Sequence, residues 1–299
     1  MLRGNLMKQI RFERGYKYNN TLRKSYSDLS SLTFGIEFEE YYQKGFWSDR
    51  YIPFSYVYQD KVIANVSVNL LDFIIQGEKK KALQIGTVMT HPDFQQRGLS
   101  TNLMNKVLAE YSNACDFIYL FANKDVLDFY PKFGFETFNE HISFMNFVGN
   151  KDQNTILRKL DIKDLRDRKF IYEFVSTRSP VSSVFSTLNT EGIFMFYCLN
   201  VFPQNIYYLT DEDVIVVFQQ EQQTLHLYDI VSKKEIEIEP ILKKISDFST
   251  EKIIFHYTPA YRDIQIESKL FTGNEILFVK TFRNNNFPLY IKHPLMSQA

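Results

Sequence analysis

The 299 residues balance 35 Lys and Arg against 35 Asp and Glu, so no net field draws the chain toward nucleic acid or an anionic bilayer. Two cysteines, Cys115 and Cys198, exclude a disulfide framework or a zinc cluster, and each reads as a buried apolar residue. With 44% hydrophobic residues the chain can fill about two domains of ordinary size, and its 28 Phe and 19 Tyr are expected mainly in cores. The first residues carry no apolar run of signal-peptide length, and no segment is long enough to span a bilayer. The expectation is a cytoplasmic protein with no membrane or nucleic-acid partner.

Gln9 to Glu13 alternates as a strand does. Asn19 to Phe34 places Leu22, Tyr26, Leu29 and Leu32 at helical spacing, with Asn20 or Thr21 as a cap. A second helix is expected over Ile36 to Lys44, where Glu37, Glu39 and Glu40 read as a solvated face. Phe46 and Trp47 follow in a loop. Ile52–Gln59 and Val62–Ile75 form a hairpin at Asp60-Lys61, and Gly77 to Lys80 turn into a strand from Leu83 to Met89.

That strand leads through His91-Pro92-Asp93 into Gln95-Gln96-Arg97-Gly98-Leu99-Ser100 and a helix on which Leu99, Leu103 and Val107 recur every four residues. A short strand, Phe117 to Phe121, completes a βαβ unit and so lies parallel to the first. The start of such a helix is an anion site, because its first N–H groups lack partners within the helix. At Gly98 no Cβ stands between the main chain and a phosphate. After Phe121 come Asn123, Val126, Tyr130, Gly134 and Phe135.

These two stretches resemble paired signatures of the GCN5-related N-acetyltransferases. Gln95 to Ser100 fits R/Q-x-x-G-x-G/A with Ser100 in the last place. Asn123 to Phe135 fits N-x-x-A-x-x-x-Y-x-x-x-G-F with Val126 for Ala. The resemblance covers residues 8–147, with His141 to Phe147 as the last strand. It implies an α/β fold of mixed sheet, the GNAT-type acyl-CoA N-acyltransferase fold, with acetyl-CoA held where the fourth and fifth strands splay. By the same resemblance the main chain of Val88, Met89 and Thr90 pairs with the pantetheine arm. The N–H groups of Gln96, Arg97, Gly98, Leu99, Ser100 and Thr101 hold the pyrophosphate, with Gln95 opening the motif. Asn123 bonds the cosubstrate or caps the next turn. Tyr130 is the general acid, and no metal is expected.

The base stays open among Asp72, Glu78, His91, a water and the carboxylate of Ala299. The last follows the enhanced-intracellular-survival-type enzymes, in which the chain's own C-terminal carboxylate enters the site. The acceptor is a primary amine on a small molecule or a protein. The alternative is a non-catalytic acyl-CoA-binding sensor or scaffold, motivated by the lack of Asp or Glu between Leu83 and Thr90.

In the second half, Asp152 to Leu160 reads as a crossover and Ile162 to Val175 as a helix. Ile206–Leu209, Val214–Gln220 and Thr224–Val231 read as strands, Ile238–Ile245 as a helix, and Lys252–Tyr257 as a strand. Ile276–Phe282 and Leu289–Ile291 are expected to complete that sheet. The order resembles a second, degenerate GNAT-like domain, giving 1–150 as the acetyl-CoA-binding domain and 151–299 as its tandem partner. No glycine lies between Leu227 and Pro240, so one cosubstrate site is expected, in the first domain. The second would shape the acceptor cleft, with His256, Tyr257, Tyr261 and Arg262 as a candidate cluster, or support a homo-oligomer.

Overall fold

A computed structural model of the chain describes residues 9–149, 157–262 and 264–299. Most of the expected crossover at Asp152 to Leu160 lies outside these residues. The first half runs β1 (Arg11–Arg14), α1 (Asn20–Phe34), α2 (Glu39–Gln43), β2 (Tyr51–Tyr58), β3 (Lys61–Ile75), β4 (Glu78–Thr90), α3 (Leu99–Tyr111), β5 (Phe117–Asn123), β6 (Glu136–Phe138) and β7 (His141–Asn146). The second half runs β8 (Leu157–Lys159), α4 (Leu165–Ser176), β9 (Phe185–Leu188), α5 (Glu191–Asn200), β10 (Ile206–Leu209), β11 (Val214–Glu221), β12 (Thr224–Ser232), α6 (Ile238–Ile245), β13 (Lys252–Phe255), β14 (Glu267–Leu270) and β15 (Glu275–Thr281).

Local chemistry sets the helix ends. Asn19 Oδ1 accepts from Leu22 N at the start of α1, and Gly35, at φ 69°, closes it with an N–H to Ser31 O. Asp164 accepts from Arg166 N and Asp167 N, so α4 begins at Leu165 rather than at Ile162. On α3 the buried stripe Leu99, Leu103, Met104, Val107 and Tyr111 packs with Val66, Val68, Leu83 and Ile118 of the sheet. Each such side chain contributes about 1.5–3 kcal/mol when fully buried.

Two mixed sheets form, ordered β1-β2-β3-β4-β5-β15-β6 and β14-β7-β13-β12-β11-β10-β8, with β9 pairing antiparallel to β3. In each, one pair is parallel and is joined through a helix: β4 with β5 across α3, and β12 with β13 across α6. The second half therefore repeats the βαβ core of the first.

The strands next to these pairs correct two expected sheet assignments and cross the expected division at residue 150. His141–Phe147, read as the last strand of the first sheet, supplies β7 to the second, antiparallel to β13. Ile276–Phe282, read as part of the second sheet, supplies β15 to the first, between β5 and β6. Each half keeps β6 or β14 at an edge of its own sheet and sends β7 or β15 to the other. An apolar strand pattern states which faces are buried but not which open edge it joins. Leu289–Ile291 is not a strand, although Ile291 is buried and its carbonyl accepts from His141 N. One core joins the halves, with Tyr26, Trp47, Phe174, Phe194, Val217 and Met296 in a single cluster.

Candidate active site

β4 and β5 pair only from Ala82–Phe117 to Ile85–Leu120 and then part. A register irregularity between β3 and β4 falls opposite Thr87, whose φ of 48° is unusual for a β-branched residue. Three contacts hold that conformation. Asn65 Nδ2 donates to Thr87 O at 2.9 Å and to Ser67 Oγ at 2.9 Å, and the Tyr51 and Thr87 hydroxyls meet at 2.7 Å. Where the strands part, a cavity of about 920 Å³ opens, bounded by Val88, Met89, Thr90 and residues 94–101.

Every residue expected to bind the cosubstrate lines this cavity: Val88, Met89, Thr90, Gln95, Gln96, Arg97, Gly98, Leu99, Ser100, Thr101 and Asn123. Gly98 is the N-cap of α3 at φ 73° and offers no side-chain cap, leaving the first N–H groups of the helix to a ligand. A Cβ built on Gly98 meets nothing within 4 Å, so the protein's own packing does not demand glycine there. The positive φ does favour glycine, and the open space suits an approaching phosphate. Ser100 Oγ lies 2.7 Å from Thr90 Oγ1, tying the helix start to the end of β4. Arg97 turns back on its own loop, donating to Asp93 O at 2.8 Å with its guanidinium 5.0 Å from the Phe94 ring centre. Of the two roles weighed for Asn123, the structure shows the cap, because its Oδ1 accepts from Asp125 N at 3.1 Å.

Tyr130 also lines the cavity. Its ring is buried against Phe129, Phe135 and Phe278, and among the described residues its hydroxyl has no hydrogen-bond partner. Burial pushes its pKa up to about 12, so it carries its proton at neutral pH.

Of the side chains considered as a base, none reaches the cavity lining. Asp72 pairs with Lys79 at 2.9 Å and accepts from Asn189. Glu78 pairs with Lys80 at 2.8 Å in solvent. His91 accepts from Asp93 N in its own turn. Ala299 does line the cavity, its carbonyl oxygen 3.2 Å from Gln84 Nε2 and its carboxyl carbon 3.4 Å from a Cβ built on Gly86. Of the acidic residues read as a solvated face, Glu39 is tied to the fold, taking both arms of Arg23 at 2.9 and 3.1 Å.

The cavity wall also includes residues that sequence patterns did not single out. Phe38, Tyr41, Tyr51 and Phe196 form one aromatic surface, with Phe38 stacked on Tyr51 at 5.6 Å and on Phe196 at 6.1 Å. Phe196 and Tyr197 come from α5, so residues of the second half line part of this cavity. Glu275, at the start of β15, is with Arg97 one of only two charged side chains in the wall among the described residues. Burial, then the nearby Glu140, raise its pKa, and its carboxylate accepts from Gln298. No local motif marks it, because β15 had first to be assigned to the other sheet. The expected cluster of His256, Tyr257, Tyr261 and Arg262 is absent from the lining. His256 pairs with His226 at 2.9 Å, and Tyr257 with Tyr261 at 2.8 Å.

Residues 16–138 match the family model described as the acetyltransferase (GNAT) domain. No curated protein matches the chain. Among solved structures the chain is similar to a protein of Enterococcus faecalis V583 described as a probable N-acyltransferase. That match has 15% identity and a TM-score of 0.62, over 91% of this chain and 72% of the other. It is similar to Eis1 of Mycobacterium abscessus at 14% identity and a TM-score of 0.54, over 90% and 72%. A GCN5-related N-acetyltransferase of Kribbella flavida aligns at 15% identity and a TM-score of 0.53, over 91% and 72%. At these identities the likeness is one of fold.

Proposed function

We propose that this chain, whose residues 16–138 form a domain of the GNAT acetyltransferase family, transfers an acetyl group from acetyl-CoA to a primary amine. The observation that carries this reading is the parting of β4 and β5 beside an uncapped α3 N-terminus, with Tyr130 and the Ala299 carboxyl facing the same cavity.

The fit to the cosubstrate is main-chain in character. Toward β5, residues 86–90 have no strand partner among the described residues, which leaves an edge for an extended arm. The N–H groups from Gln96 to Thr101 and the α3 dipole suit a pyrophosphate. The Ala299 carboxylate takes the proton that an ammonium must lose before its nitrogen attacks the thioester carbonyl. Main-chain N–H near Val88 and Met89 would oppose the negative charge growing on that carbonyl oxygen. Tyr130 gives its proton to the departing sulfur, so an amide bond forms as the carbon–sulfur bond breaks. The base assignment applies to a chain that ends at Ala299. Appending one glycine should lower kcat at least tenfold while leaving acetyl-CoA affinity within about twofold.

The wall also suggests the acceptor. It is mostly aromatic and apolar and has one acidic side chain, Glu275, besides the terminal carboxyl. Such a site fits an amine with an aromatic or apolar body and one positive charge, its ammonium held by Glu275 and by ring faces. A polycation would lack partners for its further charges. The sensor or scaffold reading arose from the lack of Asp or Glu between Leu83 and Thr90, and a carboxyl group does reach the cavity from another segment. The two cysteines are buried and unpaired, which suits a reducing, cytoplasmic setting. Among the described residues no helix is long and apolar enough to cross a membrane.

The test is thiol release from acetyl-CoA with 2-phenylethylamine, tryptamine, spermidine and kanamycin as acceptors. Turnover should be fastest with the two aromatic monoamines. No amine-dependent thiol release from any of them would contradict acetyl transfer, and preference for the polycations would contradict the acceptor class alone.

A further inference from the structure

Behind the cavity, three side chains with no solvent exposure form a hydrogen-bonded chain that ends on Ala299: His293, Tyr119 and Gln84. His293 Nε2 lies 3.0 Å from the Tyr119 hydroxyl, that hydroxyl lies 3.2 Å from Gln84 Oε1, and Gln84 Nε2 lies 3.2 Å from Ala299 O. Gln84 and Tyr119 face each other across β4 and β5, one register position before the strands part. At the far end the His293 N–H and Lys292 Nζ both donate to Glu140 Oε1, each at 2.9 Å.

The direction of every bond follows from the last one. A carboxylate only accepts, so Gln84 gives Nε2–H to Ala299 and turns Oε1 to Tyr119. Tyr119 has a single proton, which Oε1 takes, and its oxygen must then accept from His293 Nε2–H. His293 Nδ1 lies 3.1 Å from the Pro294 carbonyl, which can only accept, so that contact calls for a ring proton as well. Burial among Phe73, Phe121 and Phe185 lowers the imidazole pKa to about 3, so the ring is neutral near pH 7. With one proton the ring serves either Tyr119 through Nε2 or the Pro294 carbonyl through Nδ1, and the Nε2–H tautomer is the one that completes the chain to Ala299. If that proton moved to Nδ1, Tyr119 would turn its own to His293 and Gln84 would lose the donor that fixes its amide.

None of the three lines the cavity, yet they set what Ala299 meets there. We propose that His293, Tyr119 and Gln84 are positioning residues that aim the Ala299 carboxyl into the cavity and hold it ionised. This rests on the base role assigned to that carboxyl above. The other charges around this chain are the Lys292–Glu140 pair and Glu275, and none is altered in the variants below.

The experiment titrates the Ala299 carboxyl directly, by NMR on protein carrying ¹³C-carboxyl alanine, alongside the pH profile of kcat. In Tyr119→Phe, which keeps the ring, the carboxyl should titrate about one pH unit higher than in the native protein, a tenfold change in its ionisation constant. The acid limb of kcat should move with it, while KM for acetyl-CoA stays within about twofold. Gln84→Met should give the same shift, and the double variant no more than either single, because both break one chain. An unchanged titration, or shifts that add, would overturn the proposal. A shift of the carboxyl in a native protein that acetylates no amine would leave the chain's effect standing and remove only the acetyltransferase reading. Should Tyr119→Phe not fold, Gln84→Met decides alone.

Discussion

In the proposed transfer, Tyr130 is the residue on which the chemistry depends most. Tyr130→Phe keeps the ring against Phe278 and removes the proton, so kcat should fall by about 10²–10⁴, the usual worth of a positioned general acid, with acetyl-CoA affinity unchanged by calorimetry. Because burial puts its pKa at about 12, its ionisation should cause no loss of rate below about pH 10. Glu275 behaves in the opposite sense. Its carboxyl pKa is raised, so the folded state holds that proton more tightly than the unfolded chain does. Stability should then fall as pH rises through the carboxylate range, and Glu275→Gln should remove this fall while raising KM for the amine. Denaturant melts at several pH values would check the first, and initial rates the second. Tyr130 was legible in the sequence because its motif is local. Glu275 was not, because it reaches the cavity through a strand pairing with Asn123, which lies far from it in the chain.

At the scale of elements, the β4–α3–β5 unit was readable almost in full, since its strand, turn and helix signals all lie within one short stretch. The bulge at Thr87 was not readable, because it is held by Asn65, Ser67 and Tyr51 from other strands. Two glycines of this unit should respond differently. Gly98→Ala forces a Cβ onto φ 73°, which should cost about 1 kcal/mol of stability, and it should weaken acetyl-CoA binding at least tenfold. Gly86 has no positive φ, but its face lies against Ala299. Gly86→Val should therefore displace the C-terminal residue and lower kcat with little change in fold, as melts and rates together would show.

For the whole molecule, the exchange of β7 and β15 makes the two halves interdependent. A fragment of residues 1–149 would leave the β5 edge open and β7 without its sheet, so it should not fold alone. Co-expressed with residues 150–299 it should form a stable complex by size exclusion. The second strand–helix–strand unit was visible in the order of strands and helices, whereas the exchange was not, because alternation fixes faces and leaves edges unassigned. Acid should also loosen the whole structure, since His256 and His293 are both held neutral, with pKa values lowered to about 3. Between their unfolded value, about 6.5, and pH 3 the unfolded chain binds more protons, so stability should fall with pH by about 1.4 kcal/mol per unit for each. The most direct measurement is thermal unfolding with and without acetyl-CoA, for native protein and Gly98→Glu. Acetyl-CoA at a hundred times its Kd should add about 2.7 kcal/mol, a rise in Tm of roughly 4 °C, in the native protein alone. No shift in either, or an equal shift in both, would contradict cosubstrate binding at the start of α3.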